Sequence, residues 1–209
     1  MAQARVVFTG PGKQANGLQA RPEGLWVCDQ VDNKIYLVRY EDGALITSFD
    51  TPGRNFSGIA FGSGGVWGAA NVRPATLYKF NPENGQCVQA IVLPDAMAGG
   101  VHGIECAEGA LWVTRPGLLT IQKLDPETGD LQHTIPFPET RSHGLFWEAG
   151  VIVCVETNNH NVYHLDPTTG KVLDQWHIAG MEPHGMTKSA DGRIWVCDAT
   201  NNTIGIVER

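Results

Sequence analysis

No stretch of the 209-residue sequence approaches the 18 or more consecutive apolar residues of a membrane-spanning helix. The opening "MAQARVVFTGPG" lacks the apolar core of a secretory signal. Basic residues are in the minority, 15 against 22 acidic ones. The resulting net charge of −7 speaks against a non-specific nucleic-acid binder, which needs a basic stripe. The five cysteines are odd in number and form no CxxC pair, so neither a disulfide framework nor a zinc ribbon is expected. These absences predict a cytoplasmic protein with a small-molecule partner and no nucleic-acid or membrane partner.

What the chain has instead is glycine and proline, 25 and 12 of them, which predict many tight turns and short strands rather than long helices. It also repeats itself. "VHGIECAEGALWV", "SHGLFWEAGVIVCV" and "PHGMTKSADGRIWV" place His-Gly at His102, His143 and His184. Two diverged copies, "NGLQARPEGLWVCD" and "SGIAFGSGGVWGAA", begin at Asn16 and Ser57. The starts at 16, 57, 102, 143 and 184 are 41 residues apart, except for 45 between the second and third. Each copy continues through an apolar strand carrying Trp26, Trp67, Trp112, Val153 or Trp195. Alternating segments such as "TLYKFNP" and "NVYHLDP" follow, then turns with Gly43, Gly85, Gly129 or Gly170. "DPETGD" and "DPTTGK" are hairpin chemistry, because Pro presets φ and Gly supplies a positive one.

Four short antiparallel strands in about 40 residues make a propeller blade. The reading is therefore all-β: one domain spanning 1–209, a five-bladed β-propeller with blades starting near 16, 57, 102, 143 and 184. The last copy stops at "TIGIVER" after three strands, while "ARVVFTG" at 4–10 is surplus. The N-terminal strand is expected to complete the last blade and close the ring, hiding exposed edges.

In such a blade the start of the first strand and the end of the second share one end of the sheet. One ring at that mouth reads Asn16, Ser57, His102, His143 and His184; the other reads Asp29, Ala70, Arg115, Glu156 and Asp198. Three origins fit the histidines: an ancestral His-Gly kept by the copies, imidazoles that only bond neighbouring backbone, or a working pocket. In a pocket, His102, His143 and His184 would suit zinc, iron or manganese, whereas an oxygen-rich site suits magnesium. A plain acid–base role needs only an imidazole beside a carboxylate. Arg115 would offset the carboxylates or hold a substrate carbonyl or carboxylate, and Asp29, Asn16 and Ser57 would line the same pocket.

Other residues are read as structural. Cys28, Cys154 and Cys197 sit among apolar neighbours and are expected as buried thiols. The tryptophans should pack blade on blade. His133 and His177 fall on outer strands, and His160 and His164 in or near third strands; all four should be at the surface or locally bonded. The glycine after each ring position is expected to serve a tight turn.

The last unit, "EPHGMTKSADGRIWVCDATNNTIGIV", resembles the repeat of the virginiamycin B lyase (streptogramin B lyase) family, approximately P-x-G-I … D-G-x-L-W-F-T-E-x-x-x-N-x-I-G-R-I. The resemblance runs through all five units and is close only in the last. It implies a propeller whose histidine base breaks an ester by elimination, helped by magnesium. His184 matches that base, His143 a helper one blade earlier, and Asp198 stands where the family has Glu. The family's seven blades, the shorter Asp198 and the additional His102 set this chain apart and imply a smaller substrate than a cyclic antibiotic.

The functional expectation is a metal-assisted lyase or hydrolase acting on a small ester or lactone. His184 would move the proton, with Asp198 or Glu156 orienting it or binding the metal. The alternative is a non-catalytic propeller that binds a small ligand or protein partner at the same mouth. A five-bladed cyclase of the plant glutaminyl type shares the blade count alone.

Overall fold

The computed structural model describes residues 2–208, and every regular element longer than a single turn is a strand. The N-terminal strand β1 (Ala2–Thr9) precedes five consecutive hairpin-linked sets, four of four strands and a last one of three. The first set is β2 (Ala15–Arg21), β3 (Gly24–Asp29), β4 (Lys34–Val38) and β5 (Leu45–Asp50). Next come β6 (Phe56–Gly62), β7 (Gly65–Ala70), β8 (Thr76–Phe80) and β9 (Cys87–Val92). They are followed by β10 (Ile104–Ala107), β11 (Ala110–Arg115), β12 (Thr120–Leu124) and β13 (Leu131–Pro136). The remainder is one eight-stranded sheet. It contains β14 (Ser142–Glu148), β15 (Val151–Glu156), β16 (Asn161–Leu165) and β17 (Val172–Ala179), then β18 (Met186–Lys188), β19 (Ile194–Asp198) and β20 (Thr203–Glu208).

β1 takes the expected place beside the last strand, pairing antiparallel with β20 from Gln3↔Glu208 to Thr9↔Thr203. It also runs parallel to β17 at Ala2↔Ile178 and Gln3↔Ala179, and this bridge joins the two four-strand groups into one sheet. The arrangement is that of a β-propeller.

Burial follows the position of each strand. β3 is buried at every residue, whereas the outer β5 is nowhere fully covered. Inner strands lie between two neighbouring groups, so they read as continuous apolar runs rather than alternating ones. The repeated aromatic position fills the gaps. Trp26 packs with Phe56, Ile59 and Val66 of the next group, and Trp67 with Ile104 and Leu111. Trp112 meets Leu145 and Ile152, and Val153 meets Met186 and Val196. Trp195 packs on Leu18, Leu25 and Val27, which returns the last group to the first.

The glycines after the ring positions differ from expectation. Gly17, Gly58, Gly103, Gly144 and Gly185 are absent from the positive-φ glycines, so no turn requires them. A Cβ on each would come within 3.0 Å of the next group's backbone: Ser57, His102, His143, Met186 and Asn16 respectively. They let the first strands crowd the axis, where the space left is about 10 Å³, no more than one water's worth. The hairpin glycines behave as predicted, with φ of 71° at Gly43 and 73° at Gly170. The longer spacing between the second and third copies is a loop with a short 3₁₀ turn at Ala96–Ala98.

Candidate functional site

The repeat does bring the three histidines together, at the end of the axis where the first strands begin. The His102 and His143 rings stack with centroids 4.2 Å apart, and those of His143 and His184 are 4.7 Å apart. His143 and His184 are buried, and His102 is partly so. Asn16 and Ser57 complete the ring but are engaged inside it. Asn16 donates to Gln30 Oε1 at 2.9 Å, and Ser57 Oγ donates to the Val101 carbonyl at 2.7 Å.

Hydrogen bonds assign one tautomer. Thr157 Oγ1 is 2.7 Å from His143 Nδ1 and 2.7 Å from the Pro183 carbonyl. A carbonyl cannot donate, so the hydroxyl gives its proton to Pro183 and accepts one from His143 Nδ1. His143 Nε2 then carries a lone pair, and that nitrogen has no partner in its buried position. His102 Nδ1 is likewise buried and unpartnered. His184 Nδ1 lies 3.1 Å from the Glu182 carbonyl, with its Nε2 facing Glu182 Oε1 at 3.5 Å.

Burial chiefly pushes the imidazoles toward neutrality. It takes His102 down to about 4 with help from the positive charge of Arg141, and it takes His143 well below its ordinary range. His184 is also lowered by burial, but the Glu182 carbonyl and carboxylate oppose the shift. It is the histidine of the row best supported as a cation.

The expected carboxylates stand at the strand ends, where each accepts hydrogen bonds from backbone amides, and the charge of Asp198 also reaches His184. Asp29 Oδ1 accepts from the Val31 and Asp32 amides at 2.9 and 2.7 Å, and its Oδ2 from Gln14 at 2.6 Å. Asp198 Oδ1 accepts from the Asn201 amide at 2.9 Å, and its Oδ2 from the Glu182 amide at 3.1 Å. Glu156 Oε2 accepts from Asn159 at 2.6 Å, while its buried Oε1 has no partner. These are Asx-like turn bonds, which a short acidic side chain makes readily. Arg115 also departs from expectation. Fully buried, it donates to Gln122 and to the Pro94, Asp95 and Gly99 carbonyls, and so anchors the longer loop.

Three contributors escaped the sequence reading: Glu182, Arg141 and Thr157. Glu182 and Arg141 each stand two residues before a ring histidine, and they form a 3.8 Å ion pair across adjacent repeats. No repeat signal marks that offset, because the other copies carry Gln14, Asn55 and Gly100 there. Beside His102 opens a cleft of about 660 Å³ lined by Arg54, Asn55, Asn71, Arg73 and Gly100 among others. Toward the other end of the same strand, Glu105 lines a smaller cavity of about 300 Å³ with Gln19, Trp147, Thr187 and Lys188. Burial lifts the Glu105 carboxyl to about 8, although it accepts a 2.8 Å bond from the Cys106 amide. The thiols of Cys28, Cys154 and Cys197 are buried as expected, and burial raises them away from nucleophilic thiolate.

Among the described residues no three His, Cys, Asp or Glu side chains converge to hold a metal ion. Among the described residues no helix is long and apolar enough to cross a membrane.

No family model and no curated protein sequence matches the chain. Solved structures do. A glutaminyl cyclase from Myxococcus xanthus superposes with a TM-score of 0.82 at 14% identity, covering 99% of this chain and 96% of that one. A streptogramin B lyase gives a TM-score of 0.60 at 20% identity over 95% of this chain and 66% of the lyase. The virginiamycin B lyase from Staphylococcus aureus gives 0.59 at 20% identity over 96% and 68%. The resemblance to the lyase repeat is thus borne out in the fold, and at these identities it is the fold that the chain shares with both kinds of enzyme.

Proposed function

We propose that the chain is a five-bladed β-propeller enzyme whose histidine face performs acid–base chemistry on a small substrate. The blade number is supported by the first strands β2, β6, β10, β14 and β18, which contact one another in a closed cycle. The near-complete mutual coverage with the cyclase structure, against about two thirds of the lyase chains, supports a ring of this size.

The observation that carries the functional reading is the row of adjoining imidazoles with unpartnered buried nitrogens on His102 and His143. An unsatisfied buried polar group costs about 1–3 kcal/mol, so a histidine kept for packing alone would be bonded or replaced. On this reading the substrate enters the cleft and meets His102 first. His184 accepts or returns a proton at Nε2, where the Glu182 carboxylate stabilises the imidazolium. Asp198 becomes a positioning residue that holds the Glu182 amide, and Glu156 keeps one oxygen free as a second carboxylate. Such proton transfer serves elimination, hydrolysis or ring closure at a carbonyl.

The residues present do not fit a three-histidine metal site: His102 and His143 stack, His184 lies tilted against His143, and no three ligand side chains among the described residues converge on a point. A divalent ion, whether zinc, iron, manganese or the magnesium of the lyase family, therefore has no converging set of donors among the described residues.

The test is a turnover screen of small esters, lactones and amides with the wild type and His184→Asn. General acid–base groups contribute about 10²- to 10⁴-fold, so a loss of that order is expected with the fold intact by circular dichroism. A wild type that turns over nothing but binds ligand at this mouth would make the chain a binding propeller.

Glu105 favours a second reading. A carboxyl titrating near 8 in a cavity is a general acid poised close to neutral pH. If the reaction lies at that end of the axis, Glu105→Gln abolishes turnover and His184→Asn does not.

A further inference from the structure

The cleft beside His102 is out of keeping with the charge of the chain. It is lined by two arginines and two asparagines and by no carboxylate, in a chain with 22 acidic and 15 basic residues. Arginine pairing sharpens the contrast. Arg5, Arg21, Arg39, Arg141 and Arg193 each face a carboxylate, and Arg115 is held by Gln122 and loop carbonyls. Among the described residues the two arginines without such a partner are Arg54 and Arg73, and both line this cleft.

Arg54 and Arg73 are both exposed at the cleft, and their forks of donors match carboxylate and phosphate oxygens. Asn55 and Asn71 add neutral donors, and His102 lines the same cleft. A cavity of about 660 Å³ is in the size range of small-molecule sites. We propose that Arg54 and Arg73, with Asn55 and Asn71, bind an anionic group of the substrate, a carboxylate or a phosphate, and hold its reacting end against the histidine row. This rests on the reading of the histidine face as the acid–base site.

The test is calorimetric titration with inorganic phosphate and, separately, with succinate, each at constant ionic strength. The proteins are the wild type, the double variant Arg54→Gln/Arg73→Gln, His184→Asn, and Lys171→Gln at an exposed turn remote from the cleft. Saturable binding of one anion is expected, at least tenfold weaker in the double variant and unchanged in Lys171→Gln. The anion that binds distinguishes a phosphate group from a carboxylate. Binding of neither anion, or equal binding by the double variant, overturns the proposal. His184→Asn is expected to keep the anion. If it keeps turnover as well, the acid–base reading fails while the anion site stands.

Discussion

Thr157 holds His143 in one tautomer: its hydroxyl accepts from Nδ1 while donating to the Pro183 carbonyl, both at 2.7 Å. Thr157→Val keeps the shape and removes both bonds, leaving a buried N–H and a carbonyl unpaired. A loss of about 1–3 kcal/mol is expected in urea unfolding. Thr157→Ser should recover most of it, whereas a valine variant as stable as the wild type would show that the bond does not matter.

Acid should loosen the histidine row. Burial depresses the folded-state pKa of all three imidazoles, so the unfolded chain binds more protons as the pH falls. The stabilisation is therefore complete above the unfolded value of about 6.5 and lost on acidification. For His102 the window runs from 6.5 to about 4. It contributes on the order of 3 kcal/mol across that window. Melting temperatures of the wild type and His102→Asn, compared from pH 7 to pH 4, should converge at the acid end.

Glu105 has the opposite sign. Its carboxyl titrates near 4.5 when exposed and near 8 when folded, so the folded state holds the extra proton between those values. Stability falls as the pH rises through that window, by on the order of a few kcal/mol. Glu105→Gln should remove this alkaline loss; a variant with the wild-type pH profile would show that the carboxyl is not held neutral.

Gly144→Ala should destabilise the ring. Its Cβ would press on the Met186 amide and the His184 carbonyl, which are backbone atoms and cannot swing away. A cost of about 1–3 kcal/mol is expected from such overpacking, read as a lower urea midpoint. An unchanged midpoint would mean that the axis is looser than it looks.

Much of this was legible from spacing alone. The His-Gly period of 41 residues was enough to predict the meeting of His102, His143 and His184, because equivalent positions of a closed ring must face one axis. Period says where a residue sits, not where its side chain turns. Asp29, Glu156 and Asp198 were placed at the right strand ends, but each gives at least one oxygen to a local turn amide, which the period does not reveal. Glu182 occurs in one copy only and so leaves no repeat signal, although it is the carboxylate that faces His184. The ring glycines were identified correctly and explained wrongly: crowding at the axis, not φ, demands them.

The most direct test of the acid–base site is the turnover of small carbonyl substrates by the wild type, His184→Asn and Glu182→Gln side by side. A fall of about 10²-fold or more is expected for His184→Asn and a smaller one for Glu182→Gln, with circular dichroism unchanged. Equal turnover by all three proteins would contradict the role given to His184 and move the chemistry to the opposite end of the axis, at Glu105.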